Sequence, residues 1–188
     1  KNKALISKKH LEKINSSIKI KAYDVKLDNK NISLINSDLI LDCTDNLETR
    51  FLINDYCNKN KIPWVHAAAI KKHGIIFNII PGRACFNCIY KNINSFERCE
   101  DVGVLNTITT LISSLQVNEA IKILLNEDYE TNLIRVNLEN NSFDKIKVNK
   151  DPGCGVCKGE ALNKKFKLEL CRSKTTLSVK THKNLNLN

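Results

Sequence analysis

Two periods of apolar and polar positions run along the chain, and the changes of period mark its elements. Residues 4–14, ALISKKHLEKI, place Leu5, Leu11 and Ile14 near one face at helical spacing. IKIKAYDV at 18–25 alternates apolar with polar, as a half-buried strand does. DLILDCT at 38–44 is short and nearly all apolar, which reads as a central parallel strand buried on both faces. Thr44-Asp45-Asn46 then supplies a cap for a helix at about 47–59. IPWVHAA at 62–68 and GIIFNIIP at 74–81 read as two more strands, the second ended by Pro81 and Gly82. An irregular stretch at 82–104 precedes a long helix at about 106–126, NTITTLISSLQVNEAIKILLN. TNLIRVNL (131–138) and SFDKIKVN (142–149), separated by Glu139-Asn140-Asn141, predict a hairpin. DPGCGVCKG at 151–159 reads as a tight turn, and the tail after Lys180 as disordered.

Strands alternating with helices imply an α/β sheet with antiparallel strands at one side. Ligands of such sheets bind beyond the C-terminal ends of parallel strands. Asp45 lies in that kind of position, just past the strand at 38–44.

Composition narrows the class without deciding it. The 188 residues are 42% hydrophobic and 27% charged, ordinary for a globular chain with one core. No apolar run reaches the ~18 residues of a membrane-spanning helix. The N-terminal KNKALISKKHLEKIN has no secretory apolar core, so a cytoplasmic chain is expected. The net charge is +10, carried by 25 Lys against 5 Arg beside 25 Asn. AT-rich codon usage accounts for such a composition. The other reading is a basic surface for an acidic partner, a nucleotide or a nucleic acid. An aromatic content of 6% speaks against a nucleic-acid surface.

The eight cysteines say more. Cys85-Phe-Asn-Cys88 and Cys154-Gly-Val-Cys157 are two CxxC knuckles set in turn chemistry, with Pro81-Gly82 before the first and Pro152-Gly153 and Gly155 around the second. Two residues between cysteines let both sulfurs face one ion, and two knuckles complete a tetrahedral four-cysteine shell suited to structural Zn2+. The competing reading is a pair of redox dithiols. A redox CxxC opens a helix after a strand, and no helix is evident after either pair. Cys43 and Cys57, in a strand and a helix, read as core. His66 and His73 show no ligand spacing and read as solvated or core residues.

LILDCTDNLETRFLINDYC, IPWVHAAAI, the first CxxC, FERCEDVGV, SSLQVNEAIKILL and DPGCGVC occur in an order and spacing that resembles the ThiF/MoeB/HesA family, prokaryotic relatives of ubiquitin-activating enzymes. The resemblance covers residues 1–158, leaving 159–188 as a C-terminal extension. It implies a Rossmann-like nucleotide-binding fold with a mixed sheet and a four-cysteine zinc site. It implies ATP- and Mg2+-dependent adenylation of the C-terminal glycine of a ubiquitin-like sulfur carrier of the MoaD/ThiS kind, by a homodimer. Asp45 matches the second acid of the family's DCTDN box and would hold Mg2+ and the α-phosphate, a helix N-cap being its plainer role. Asn46 would line the nucleotide site, Lys3 matches the phosphate-binding lysine, and Arg50 is a candidate for orienting phosphate or Asp45. Asp42 is expected to satisfy backbone or turn groups. Cys99 falls where some members carry a reactive cysteine, although Glu97, Glu100 and Asp101 beside it would raise its thiol pKa.

The family's GxGxxG turn and ribose-binding acid are missing: all six glycines lie at position 74 or later. The expectation is an N-terminally truncated domain that binds ATP poorly alone. Two other functions stay open. One is the family's tRNA-modifying dehydratase branch, which the +10 charge favours, and the other is a zinc-stapled binding module without catalysis.

Overall fold

The computed structural model describes residues 2–90 and 103–160, together with the backbone of 170–172 and 177–179. It divides into two compact units, residues 1–31 and 32–188.

In the N-terminal unit, helix α1 (Lys3–Ile14) is capped by Asn2, whose side chain accepts from Leu5 N–H at 3.3 Å. It buries no residue, and Lys8 and Glu12 pair along its surface. The strand expected at 18–25 does not form: no strand among the described residues pairs with it, and Ile18, Tyr23 and Val25 are exposed. Alternation supplies a face, but a strand also needs a neighbour to take its N–H and C=O groups. The Asn2 amide donates to the Asp24 carboxylate instead, and Asp28 closes a turn by accepting from Lys30 and Asn31 N–H.

The larger unit is a five-stranded mixed sheet in the order β1-β2-β3-β4-β5, formed by Ile40–Asp42, Trp64–Ile70, His73–Ile79, Leu133–Asn137 and Ser142–Ile146. β1 and β2 are parallel, joined through helix α2 (Leu47–Asn60); every later pair is antiparallel. The strand expected to be central, at 38–44, therefore lies at an edge of the sheet formed by the described residues, with Leu41 39% exposed. β2 and β3 form a hairpin around Lys71-Lys72, with Lys71 at φ +52°. Asn141 supplies the positive φ of the β4–β5 turn, the role its position predicts.

The short helix α3 (Phe86–Tyr90) follows β3, and the long helix α4 (Asn106–Leu124) packs on one face of the sheet. Ile108, Ile112 and Ala120 of α4 meet Val65, Ile76 and Val136 there. Gly74 allows this close approach: a Cβ on it would run into the Ile112 side chain. Glu119, also buried on α4, accepts from Asn78 Nδ2, Glu130 N–H and Lys122 Nζ at 2.6, 2.8 and 2.8 Å, which anchors the segment entering β4.

The opposite face carries an aromatic cluster. Phe86 of α3 packs edge-on against Phe51 of α2 and His66 of β2, at centroid distances of 5.0 and 4.9 Å. Tyr90 and Trp64 complete it. Helix α3 was not evident in the sequence, because five residues are too few to show a helical period.

β6 (Leu170–Arg172) and β7 (Leu177–Val179) pair antiparallel as a separate ribbon. Cys99 and the tail after Lys180 lie outside the described residues. No helix among the described residues is long and apolar enough to cross a membrane.

Candidate functional site

Asp42 ends β1 with its side chain buried, and four donors converge on its carboxylate. Thr44 N–H and Oγ1–H donate to Oδ1 at 2.8 and 2.6 Å. Arg50 Nε and His66 Nδ1 reach Oδ2 at 3.0 and 2.8 Å. Gln116 of α4 donates to the Asp42 carbonyl (2.9 Å) and the Val65 carbonyl (3.0 Å), locking β1 to β2 from below. Asp42 does serve a turn group, Thr44, and it also organises two buried side chains.

The protonation states follow from the surroundings. Burial alone would raise the Asp42 pKa. Hydrogen bonding and charge at His66, the positive Arg50 and the Thr44 hydroxyl outweigh burial and hold it below the ordinary carboxylate value. Burial dominates at His66 and lowers its pKa against the pull of Asp42, so the imidazole is neutral. The neutral ring then carries its proton on Nδ1, donated to Asp42, and Nε2 is a buried acceptor with no hydrogen-bond partner among the described residues.

Arg50 closes the arrangement. Its Nη2 donates to the Thr44 carbonyl while its Nε binds Asp42. The N–H of Thr44 and its carbonyl are thus both held, one by Asp42 and one by Arg50. The loop that follows presents Asp45 at the surface, beyond the C-terminal end of β1. Asp45 takes one long hydrogen bond from Asn46 Nδ2, at 3.3 Å. The helix N-cap is Asn46, whose Oδ1 accepts from Thr49 N–H at 2.8 Å, leaving the Asp45 carboxylate out of the cap. Arg50 is directed to Asp42 and Thr44 rather than to Asp45. Lys3 is exposed at the first residue of α1 in the other unit.

Cys43 corrects an expectation: it is exposed, because the β1 alternation that turns Asp42 inward turns Leu41 and Cys43 outward. Partial burial of its sulfur and the Asp42 charge raise its pKa, so it is no ready nucleophile. Cys57 is core, with its thiol pushed up to about 12 by burial. His66 is a core residue with a charged partner, and His73 opens β3 half-buried.

The two knuckles come together. The sulfurs of Cys85, Cys88, Cys154 and Cys157 all lie within 4.8 Å of one another and can hold a metal ion. The separations Cys85–Cys88, Cys85–Cys154 and Cys88–Cys157 are 3.8, 3.7 and 3.6 Å. Four sulfurs at about 2.3 Å from one tetrahedral ion would stand about 3.8 Å apart, and these three separations match that spacing. Cys85 stands directly before α3, so the first knuckle does open a helix, contrary to the sequence reading. The four sulfurs share one cluster rather than forming two separate pairs, which is the arrangement a single metal ion needs. Neighbouring polar side chains brace it. Asn54 Oδ1 accepts from Phe86 N–H at 2.9 Å, and Asn58 Nδ2 donates to the Val156 carbonyl at 2.5 Å, so α2 grips both knuckles.

Residues 1–156 match the model of the ThiF family. The chain belongs to that family. It is 31% identical to the molybdopterin-synthase adenylyltransferase of Escherichia coli, over 78% of this chain and 62% of that protein. It is 26% identical to the sulfur carrier protein ThiS adenylyltransferase of Bacillus subtilis, over 82% of this chain and 48% of that one. The crystal structure of E. coli MccB with ATP superposes with a TM-score of 0.71 at 19% identity, over 84% of this chain and 51% of MccB, which shows a shared fold. The ThiF-family chain thus spans about half the length of proteins it resembles.

Proposed function

We propose that the protein is an ATP-dependent adenylyltransferase acting on the C-terminal glycine of a ubiquitin-like sulfur carrier of the MoaD/ThiS kind. The observation that carries this reading is the exposed Asp45 carboxylate, set beyond the C-terminal end of a parallel strand by a loop held on both sides of Thr44. Family membership, and relatives named as adenylyltransferases of molybdopterin synthase and of ThiS, supply the reaction class.

The chemistry is acyl activation. A glycine carboxylate is a poor electrophile, so one of its oxygens attacks the α-phosphate of ATP and pyrophosphate leaves; a sulfur nucleophile then attacks the acyl carbon of the mixed anhydride and AMP leaves. The protein's task is to hold a polyphosphate and a carboxylate in line and to offset charge. Mg2+, when bound, supplies that charge neutralisation. Asp45 is the residue of this loop with an open carboxylate face for such a cation, and Asn46 fixes the helix start beside it. Arg50 acts through the Thr44 carbonyl, and Lys3 is assigned to phosphate. Cys99 is assigned a covalent step with the carrier, and the active form is a cytoplasmic homodimer. The nucleotide-binding domain is assigned to residues 1–158 of a Rossmann-like fold. The four-cysteine cluster takes zinc as a structural staple, since no ligand position is left open.

The test is exchange of labelled pyrophosphate into ATP by the full-length protein, with carriers ending in Gly-Gly. Carrier-dependent exchange is the expected result. No exchange with any carrier, with Asp45→Ala changing nothing, overturns the reading.

A further inference from the structure

The Asn87 amide crosses from one cysteine knuckle to the other. It sits between the two cysteines of the first knuckle, 5% exposed, and its Nδ2 lies 3.3 Å from the sulfur of Cys154 in the second. Cys154 is itself 1% exposed, the innermost of the four together with Cys85. The other end of the amide, Oδ1, has no hydrogen-bond partner among the described residues. Among these residues the Cys154 sulfur is the group that the amide N–H serves. Turning the amide over would set a carbonyl oxygen against an electron-rich sulfur, an unfavourable contact that leaves the buried N–H unpaired.

We infer that Asn87 is an outer-shell positioning residue of a tetrathiolate metal site, donating from the first knuckle to the Cys154 sulfur of the second. The inference rests on the metal reading of the cluster. Four thiolates around a dication leave two negative charges in a largely buried place. An N–H donated to one sulfur draws off part of that charge and fixes where the sulfur stands. Asn87 does this across a gap of 67 residues in sequence, so it also aligns the two knuckles with each other. Its neighbour Phe86 does not compete for the role, because its ring is engaged with Phe51, Trp64, His66 and Tyr90.

Cobalt(II) replaces zinc in such sites and reports on the sulfurs through its thiolate-to-metal charge-transfer band. The experiment compares the protein with Asn87→Asp, the same shape without the N–H donor, and Asn87→Leu, a similar volume without any polar group. Each is loaded with cobalt for the spectrum and with zinc for transfer to a chromogenic chelator. Loss of the donor makes the Cys154 sulfur more electron-rich, so both variants are expected to move the band to lower energy. Both are expected to surrender zinc roughly 10- to 100-fold faster, the usual range for outer-shell changes. Faster release with an unmoved band is a general loosening of the fold, and it overturns the assignment of Asn87. An unchanged band and release rate in both variants overturn that assignment as well, and leave the metal reading standing. No charge-transfer band in the unaltered protein overturns the metal reading and this inference with it.

Discussion

His66 Nδ1 stands 2.8 Å from Asp42 Oδ2, and both side chains are almost wholly buried. One residue comes from β2 and the other from the end of β1. Their contact ties the parallel strand pair to the loop that presents Asp45. The positive partner of Asp42 is Arg50, and His66 is a neutral donor beside it.

Stability is expected to fall as pH drops below the ordinary histidine range. The folded pKa of His66 is depressed, so between that value and about 6.5 the unfolded chain takes up a proton that the folded chain does not. Stability is full above this window and declines through it by up to about 1.4 kcal/mol per pH unit. Urea unfolding at pH 7.5 and pH 6 measures the difference, and His66→Asn should flatten it. An equal slope in both proteins would contradict the neutral assignment.

Removing Arg50 strands a buried carboxylate. Arg50→Ala is expected to cost about 3–5 kcal/mol, the range for a broken buried ion pair. Arg50→Lys keeps the charge, but one ammonium cannot reproduce the two directed N–H bonds to Asp42 and Thr44, so only part of the loss should be recovered. Chemical denaturation of the three proteins orders them. Arg50→Ala as stable as the parent would show that the pair is not formed.

The approach of α4 to the sheet depends on Gly74. Gly74→Ala drives a methyl into Ile112 and is expected to destabilise by about 1–3 kcal/mol. Shortening the neighbour in Gly74→Ala/Ile112→Val should recover part of that loss. Additive costs in the double variant would place the methyl elsewhere.

Cys154→Ser or Cys85→Ser removes an interior ligand, and a strong chelator removes the metal itself. Each is expected to lower the melting temperature, because the knuckles are held to α2 by few other bonds. Metal analysis of the parent should give about one zinc per chain, as one tetrahedral shell requires. A melting temperature indifferent to chelator would deny the cluster a structural role.

Much of this was legible in the sequence because the signals were local. The Cys85/Cys88 and Cys154/Cys157 spacing pointed to four cysteines that the fold does bring together, and turn chemistry placed the β4–β5 hairpin at Asn141. The cap of α2 fell within Thr44-Asp45-Asn46, at Asn46 rather than at Asp45. What failed depended on partners. The 18–25 alternation had a strand's pattern but no strand neighbour among the described residues, and the alternation that buries the polar Asp42 turns Cys43 outward. The Asp42 hub was missed although it left a trace: His66 and Gln116 are polar residues within apolar patterns, and buried polar groups need partners. Which residues they paired with was a matter of three dimensions.

If the Asp42–Arg50 clamp serves to present Asp45 to a cation and a phosphate, Asp45→Asn should separate activity from stability. The direct measurement is pyrophosphate exchange and urea unfolding together, on the full-length protein carrying that substitution. Asp45 is exposed and takes one long hydrogen bond, so stability should stay within about 0.5 kcal/mol of the parent. Carrier-dependent exchange should fall by at least about 100-fold, the scale for losing one directed electrostatic contact to the reacting group. Exchange at the parental rate in the Asp45→Asn protein would contradict the role given to this carboxylate and to the clamp behind it.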